Sequence, residues 1–387
     1  MPMPEARPAH RAPPGPAGLR YQALASDDVD VHAGQLSRWS QEYDQLSPGR
    51  FAGRVRELWA DGPRLQVFHE HTHQQTSQLC LPWQGSVWFG IPDGRQTTPV
   101  HFCGRLQPGD ALRPVLRAAG NASFTLRTPE DFGIYGVVVD AAWLAERLDA
   151  LQLRDAGAPG ATLQALPVPP AVHAAVCHTI EEMLALGAAG GGAHDGALQA
   201  WQALLDRLLT LLCSAGHAAP SAAAAQADPA ASRRRLATVL SARALVSQPL
   251  NHTMSVDDLC AELHVTRRTL QNHFHSVVGD SPADFLKAVR MNACRRKLRE
   301  GGAATVQDVA AQWGFFHMGH FSHDYKQMFG ELPSQTLRRA DGAASATVFN
   351  GRSVPGSSRS RPAPRPPAAG LAASCGPRPA AAPATAG

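Results

Sequence analysis

The chain has 387 residues, enough for two domains with separate cores, and its formal net charge is +4. No run of about eighteen apolar residues occurs, so we expect no membrane-spanning helix and no membrane partner. The seven cysteines are scattered, and no two form a Cys-x-x-Cys pair, which argues against a disulfide framework or a zinc ribbon. Reduced thiols of this kind are typical of a cytoplasmic protein.

Charge is distributed unevenly along the sequence. Residues 233–340 contain 15 Lys and Arg against 9 Asp and Glu, a net charge of +6, and residues 341–387 add +4. The rest of the chain therefore carries −6. A basic C-terminal part beside an acidic N-terminal part is typical of a nucleic-acid-binding domain joined to a sensor.

The N-terminal half predicts a β-rich domain. Residues 1–20 and 341–387 are rich in Pro, Ala and Gly, a composition that favours disorder. Between them, turn signals such as Pro92-Asp93-Gly94 separate short apolar runs. These runs are Phe51 to Trp59, Leu65 to His71, Val87 to Ile91, Val100 to Cys103, Ser123 to Arg127 and Ile134 to Val139. They predict a small β-barrel or sandwich, an architecture that commonly binds a small ligand.

Two helical segments, about 169–187 and 194–213, follow the β-rich part. In the second, apolar residues recur at spacings of three and four: Leu198, Trp201, Leu205, Leu208 and Leu212. This seam fits either a helix pair packed within the chain or the interface of a homodimer. We assign 21–213 to a sensor and dimerisation domain and the Ala-rich stretch 214–231 to a linker.

A degenerate repeat with an offset of about fifty residues marks a third region, 232–340. Residues 255–259 match 305–309, and apolar positions match apolar positions further along, which indicates one supersecondary unit used twice. The two copies end at equivalent prolines, Pro282 and Pro333.

Each copy begins with a capping box and continues into a short helix. Ser255 with Asp258, and Thr305 with Asp308, place an oxygen at the N-cap and a carboxylate at the third helical position. A tight break follows, in which Gly314 of the second copy supplies the positive φ that a sharp turn often needs. A helix, a short turn and a second helix form the helix-turn-helix pattern.

The second helices, about 267–277 and 318–329, present polar side chains outward, as DNA-reading helices do. Arg reads guanine and Gln or Asn reads adenine through paired hydrogen bonds in the major groove. The predicted base-contacting residues are Arg267, Arg268, Gln271 and Asn272 in the first copy and Met318, His320, Ser322 and His323 in the second.

A basic helix starting at Ser281-Pro282 connects the two copies. About seventeen residues at about 1.5 Å each make this helix a rod of roughly 26 Å, which could hold two recognition helices about one DNA turn apart. Arg290, Arg295 and Lys326 are predicted to neutralise DNA phosphates.

The region 232–340 resembles the DNA-binding domain of the AraC/XylS family of bacterial transcription regulators. The matching residues are Thr266 to Gln271, Gly314 to Ser322 and Phe329 to Ser334. The resemblance implies seven helices, two tandem helix-turn-helix units, double-stranded promoter DNA and RNA polymerase as partners, and an activator that responds to a small-molecule effector. The chain departs from the family at His317 and His323, which bears on base preference at the second half-site and not on the fold.

A second resemblance covers the start of the sensor. Residues 41–49, with Phe51 and Gly53, are similar to the N-terminal segment of an AraC branch that includes regulators similar to the ethanolamine-utilisation activator. This similarity implies a sensor domain without identifying its ligand. The sequence thus predicts an α+β protein: a small β-barrel or sandwich with a helical pair, then an all-α domain with two tandem helix-turn-helix units.

An alternating row of histidines, His69, His71 and His73, offers the main competing interpretation. Three imidazoles on one strand face could bind Zn²⁺ or Fe²⁺, as in a metal-dependent β-barrel enzyme. An extended strand would spread them over roughly 13 Å, too far to converge on one ion. We therefore expect no enzyme activity, no cofactor and no metal site. The other alternative is a constitutive DNA binder whose N-terminal domain senses nothing.

Overall fold

The computed structural model describes residues 19–61, 64–95, 99–107, 113–120, 123–153, 163–190, 195–215, 229–248, 253–301 and 305–350. The chain divides into two units: Met1–Ala344 contains both of the domains described below, and Ser345–Gly387 is the second unit. Most of each segment predicted to be disordered, 1–20 and 341–387, and most of the predicted linker 214–231 lie outside the described residues. Among the described helices, none combines the length and apolar character needed to cross a bilayer.

The N-terminal domain consists of two antiparallel sheets. The strands are β1 Leu19–Ser26, β2 Ser40–Gln45, β3 Gly53–Ala60, β4 Leu65–Thr72, β5 Thr76–Leu81, β6 Ser86–Pro92, β7 Val100–Phe102, β8 Arg105–Gln107, β9 Arg113–Ala119, β10 Phe124–Thr128, β11 Phe132–Asp140 and β12 Leu163–Val168. The larger sheet has the order β1-β3-β4-β11-β6-β9-β12, and the smaller has the order β2-β5-β10-β7-β8.

Within the described residues the two sheets pack face to face and neither closes on itself, so the barrel alternative is wrong and the arrangement is that of the predicted sandwich. Aromatic side chains from both sheets fill the space between them. Trp88 of β6 stacks on Phe124 of β10 at 4.2 Å between ring centroids, and Phe102 of β7 lies beside both. Closing either sheet would require its two edge strands to pair, and they remain separate edges.

Helices cover the outer face of the larger sheet: α1 Val29–Ala33 lies at its edge, and α2 Ala141–Ala150, α3 Pro170–Ala188 and α4 Asp195–Ala215 pack across it. Since both of its faces are covered, β11 is buried along nearly its whole length instead of alternating. The leucine seam of α4 lies in this core: Trp201, Leu205, Leu208 and Leu212 are all buried within the chain. The structure thus uses the seam for intramolecular packing.

The C-terminal domain is all-helical, as predicted. Its helices are α5 Pro229–Val246, α6 Val256–Glu262, α7 Arg267–Val278, α8 Pro282–Glu300, α9 Val306–Gln312, α10 Met318–Phe329 and α11 Pro333–Asn350. The domain has two small cores, and the long helix α8 contributes to both. Its first half packs Phe285 and Val289 against α7, and its second half packs Cys294 and Leu298 against α9 and α10. Because α11 continues to Asn350, the predicted domain end at 340 falls inside a helix.

Candidate nucleic-acid interface

Both repeats form the predicted capping boxes. In the first, the Asp258 amide donates to Ser255 Oγ at 3.2 Å and the Ser255 amide donates to Asp258 Oδ2 at 2.8 Å. The second repeats this exchange between Thr305 and Asp308, at 3.1 and 3.2 Å. The Thr305 hydroxyl and amide both donate to the Asp308 carboxylate and hold its pKa below the usual range, and the Ser255 amide and hydroxyl do the same for the pKa of Asp258. The start of each unit is therefore fixed locally, as the sequence predicts.

The turns of the two units also match in backbone conformation. His264 in the first and Gly314 in the second occupy equivalent positions, with φ of 53° and 81°. Each second helix then ends at a left-handed glycine, Gly279 or Gly330, with φ of 71° in both. Positive φ is easy for glycine and costly for a residue with a Cβ, so only the first turn carries backbone strain.

In the first helix-turn-helix unit, the second helix, α7, has clearly separate buried and exposed faces. Leu270 and Phe274 are buried, whereas Arg268, Gln271 and Asn272 face solvent. Arg267 is also exposed, and its guanidinium lies 3.0 Å from the Asp257 carboxylate of α6. A DNA-reading role for Arg267 would therefore compete with this surface ion pair.

In the second unit, the second helix, α10, also has separate buried and exposed faces, but its exposed side chains are of different types. Phe321 and Tyr325 are buried, His320 and His323 are exposed, and Met318 and Ser322 are half-buried. His317 is the N-cap residue, and its side chain makes no capping hydrogen bond to the described residues.

Just before α10, Phe316 is 69% exposed, an apolar side chain that the sequence prediction did not include. The adjacent residues Phe315 and Phe316 could have indicated an exposed ring, because only one of the two is needed for the core. The packed ring is Phe315, which lies 5.1 Å from Phe321 between ring centroids.

The three predicted phosphate contacts fall into different environments. Lys326 is exposed on α10, on the outward side with His323. Arg290 is half-buried, and its Nη2 donates to the Met254 carbonyl ahead of α6. Arg295 is only 7% exposed. The assignment of Arg290 and Arg295 to phosphates is not supported by this structure, because both guanidinium groups are engaged inside the protein.

Arg295 instead joins the DNA-binding domain to the N-terminal domain. Its Nε lies 3.0 Å from Asp28 Oδ2, at the N-cap of α1, and its Nη1 lies 2.6 Å from Glu331 Oε1, next to the end of α10. Arg299, one turn further along α8, also pairs with Asp28. One buried arginine thus links the β domain, the connecting helix and the second helix-turn-helix unit.

A second ion-pair group surrounds Asp44 of β2, which is completely buried. Arg243 of α5 reaches it at 2.8 Å, and Arg296 of α8 reaches it at 2.8 Å. Burial by itself raises the pKa of Asp44, but the two arginines outweigh that effect and hold the pKa below its usual range. Each arginine has a further acidic partner, Glu42 for Arg243 and Asp30 for Arg296, both at 2.7 Å.

Backbone hydrogen bonds complete this contact between the domains. Asn292 of α8 donates to the Gln45 carbonyl at 2.9 Å and accepts from the Gln45 amide at 3.1 Å. The Gln45 side chain donates to the Met328 carbonyl at 2.7 Å, and the Gly49 amide donates to the Gln327 carbonyl at 3.0 Å. The N-terminal domain therefore binds α8 and the end of α10 directly. A signal was present in the sequence, since Asn292 is a polar residue within the apolar stripe of α8.

The predicted histidine row is divided. The His69 ring is tilted against the Tyr135 ring at 4.5 Å between centroids, and its Nδ1 lies 3.1 Å from Arg56 Nη2. His71 and His73 instead approach the carboxylate of Asp131, in the turn before β11.

Two helix-turn-helix units on one connecting helix, each with a polar outward face, define a DNA-binding domain of tandem type. A family model described as a helix-turn-helix domain matches residues 259–339. The probable thc operon regulatory protein of Rhodococcus erythropolis is 37% identical over 87 residues, which are 22% of this chain and 26% of that protein. The XylDLEGF operon transcriptional activator 1 of Pseudomonas putida is 31% identical over 96 residues, 24% of this chain and 29% of that protein.

The matched segment is therefore a helix-turn-helix domain similar to that of the XylDLEGF operon activators, and the resemblance inferred from the sequence is confirmed for this segment. The chain spans between a quarter and a third of the length of these relatives. Among solved structures, the AraC-like transcriptional activator CuxR has a TM-score of 0.34 and 12% identity, covering 70% of this chain and 94% of that one. The resemblance of the N-terminal segment to the ethanolamine-utilisation branch stays a prediction.

Proposed function

We propose that this chain is a sequence-specific DNA-binding transcription regulator, an activator of the AraC type whose N-terminal sandwich responds to a small-molecule effector. The observation that supports this most is the tandem arrangement itself. Two units with matching caps and turns share α8, and both expose the outward face of their second helix. A polar outward face is common to surface helices, so the support comes from finding two such faces on helix-turn-helix units of matched geometry, with Arg268, Gln271 and Asn272 on the first.

In the first half-site, Arg268, Gln271 and Asn272 would contact base edges through α7. Arg pairs with two acceptors of guanine, and Gln or Asn pairs with the acceptor and donor of adenine. Arg267 would contribute when its exposed ion pair with Asp257 opens, at a cost below about 1 kcal/mol for a surface pair.

In the second half-site, Met318, His320, Ser322 and His323 would face the bases, with Lys326 on a phosphate. The exposed ring of Phe316 would add an apolar contact, for which the thymine methyl group is the natural partner in the major groove. This half-site is poorer in paired hydrogen-bond groups than the first, so we expect it to tolerate more base changes.

The contact between the domains supports the sensor part of the proposal. Because the sandwich binds α8 through Arg295, Arg296 and Asn292, a change in its conformation would be felt by both helix-turn-helix units. RNA polymerase and a second copy of the chain would be the protein partners of an activator of this type. The sandwich does not act as an enzyme in this proposal.

The experiment is selection of bound sequences from random duplex DNA, followed by fluorescence anisotropy with the selected site. Gln271→Ala and Arg268→Ala should each weaken binding by about 1–3 kcal/mol and relax base choice at one position. Gln312→Ala, an exposed glutamine on α9, and Arg207→Ala, an exposed arginine on α4, are matched controls that should bind as the unmodified chain does. Equal footprints and affinities for all four variants would reject the assignment of α7 as a reading helix.

A further inference from the structure

His71, His73 and Asp131 place three metal-binding side chains around one point on the surface of the sandwich. His71 Nε2 lies 2.9 Å from Asp131 Oδ1, and His73 Nδ1 lies 3.5 Å from the same oxygen. One ligand atom from each of the three lies within 4.8 Å of the other two. Among the described residues, no other group of three His, Cys, Asp or Glu side chains meets this distance.

These separations fit a bound ion. Ligand atoms about 2.0–2.2 Å from a tetrahedral zinc ion are about 3.4 Å apart. The observed 2.9 and 3.5 Å bracket that value. Two imidazoles and a carboxylate form a donor set that suits Zn²⁺, Ni²⁺ and related dications. Since His73 and Asp131 are exposed, water can complete the coordination.

The expectation that the histidines are too widely spread fails for this pair because β4 ends at Thr72. His73 lies in the turn, where the chain is no longer extended, and its ring centroid is 5.0 Å from that of His71. The carboxylate comes from the turn just before β11, the strand that pairs with β4 and places Gly133 opposite His71. Sequence spacing alone did not bring Asp131 into the group.

The backbone holds the ligands in place before any ion binds. The Asp131 amide donates to the His73 carbonyl at 2.9 Å, and the His73 amide donates to the Ala52 carbonyl at 2.9 Å. Asp131 itself has φ of 51°, a left-handed conformation that aspartate adopts more readily than most residues with a Cβ.

We propose that His71, His73 and Asp131 bind one transition-metal dication of the zinc or nickel type. The ion would link the β4–β5 turn to the β10–β11 turn across the edge of the sandwich. This part of the proposal is independent of any role in transcription.

The site also connects to the DNA-binding domain by a short path. After His73, the Gln74 side chain accepts from the Ala52 amide at 3.0 Å. The amide of Gly49, three residues before Ala52, donates to the Gln327 carbonyl of α10. The segment between the metal site and the second helix-turn-helix unit is thus fixed at both ends. Resting on the proposed function, we infer that metal binding changes DNA affinity through this segment.

The first experiment is titration of the full chain with Zn²⁺ and with Ni²⁺ by calorimetry in a non-chelating reductant, without DNA. We expect one equivalent to bind. His73→Ala and Asp131→Asn should each weaken binding by roughly tenfold or more, because loss of a direct ligand costs at least as much as loss of a supporting residue. His178→Ala, an exposed histidine on α3, should bind metal unchanged. No saturable binding, or equal binding by all variants, overturns the site.

The second experiment repeats the DNA titration with and without the metal. A change in affinity that His73→Ala abolishes supports coupling, and an unchanged affinity under saturating metal overturns the coupling. If the chain binds metal with the expected variant pattern but binds no DNA, the metal site stands and the proposed function fails.

Discussion

Asp44→Asn would remove the negative charge at the centre of the contact between the two domains while keeping the shape of the side chain. The carboxylate is 0% exposed and accepts from Arg243 and Arg296, whose side chains are 12% and 27% exposed. Removing one partner from a buried ion pair costs about 3–5 kcal/mol, because the other charge is left in a poorly solvated place. Both arginines keep a second carboxylate, Glu42 or Asp30, so we expect a loss of about 3 kcal/mol, near the lower end.

The measurement is urea unfolding followed by tryptophan fluorescence, with the free energy of unfolding taken from the midpoint and slope. Asp27→Asn is the matched control, because Asp27 pairs with Arg50 on the surface, where the two side chains are 62% and 63% exposed. An exposed pair contributes at most about 1 kcal/mol. Equal losses for the two variants, both below about 1 kcal/mol, would refute a stabilising contact between the domains.

The pH dependence of stability provides a second test of the ion pairs that Asp44 makes with Arg243 and Arg296. The pKa of Asp44 is below its usual range in the folded chain, so the unfolded chain takes up the proton at higher pH than the folded chain does. The stabilisation is therefore fully present above the unfolded value of about 3.9 and is lost as pH falls through the lower folded value. The difference between the unmodified chain and Asp44→Asn should shrink below about pH 4. A difference that stays constant from pH 7 to pH 3 would show that the charge is not its cause.

Three further outcomes are expected. Gly314→Ala should lower the free energy of unfolding by about 1–2 kcal/mol in urea titrations, because φ is left-handed there, whereas His264→Ala at the equivalent turn should have little effect since a Cβ is already present. His317→Asp should raise the free energy of unfolding by about 1 kcal/mol, because it supplies the missing acceptor at the N-cap of α10. An unchanged urea midpoint would show that this cap does not contribute to stability. Lys326→Ala should reduce the slope of log K against log salt in DNA titrations by about 0.9, and an unchanged slope would remove Lys326 from the phosphate contacts.

Local features of this fold were predictable because their causes lie within a few residues. Ser255 and Asp258 are three positions apart, and a helix brings any such pair together, so the capping box follows from the sequence alone. The two second helices and their buried residues follow from the apolar spacing in the same way. Six strands were not predicted, because their sequences lack a strong apolar run or alternation: β1, β2, β5, β8, β9 and β12.

Arg295 shows why the candidate interface was predicted only in part. A basic residue on a connecting helix has the same sequence signature whether it faces a phosphate or a carboxylate of another domain. The decision depends on Asp28, which is 267 residues away, and nothing in either neighbourhood marks the pair. Asp131 is missing from the predicted histidine row for the same reason, because only the register of β4 with β11 brings it there.

The position of α8 suggests how the two domains would work together. This helix has 19 residues, a length of about 28 Å, and each half belongs to the core of a different helix-turn-helix unit. Its remaining face is bound by the sandwich through Asn292, Arg295 and Arg296. Two recognition helices fit consecutive grooves of a duplex only if their separation matches one turn of DNA. Since the sandwich contacts both α8 and the end of α10, it is placed to set that separation, and weakening its contacts should alter DNA affinity even though none of these residues would touch DNA.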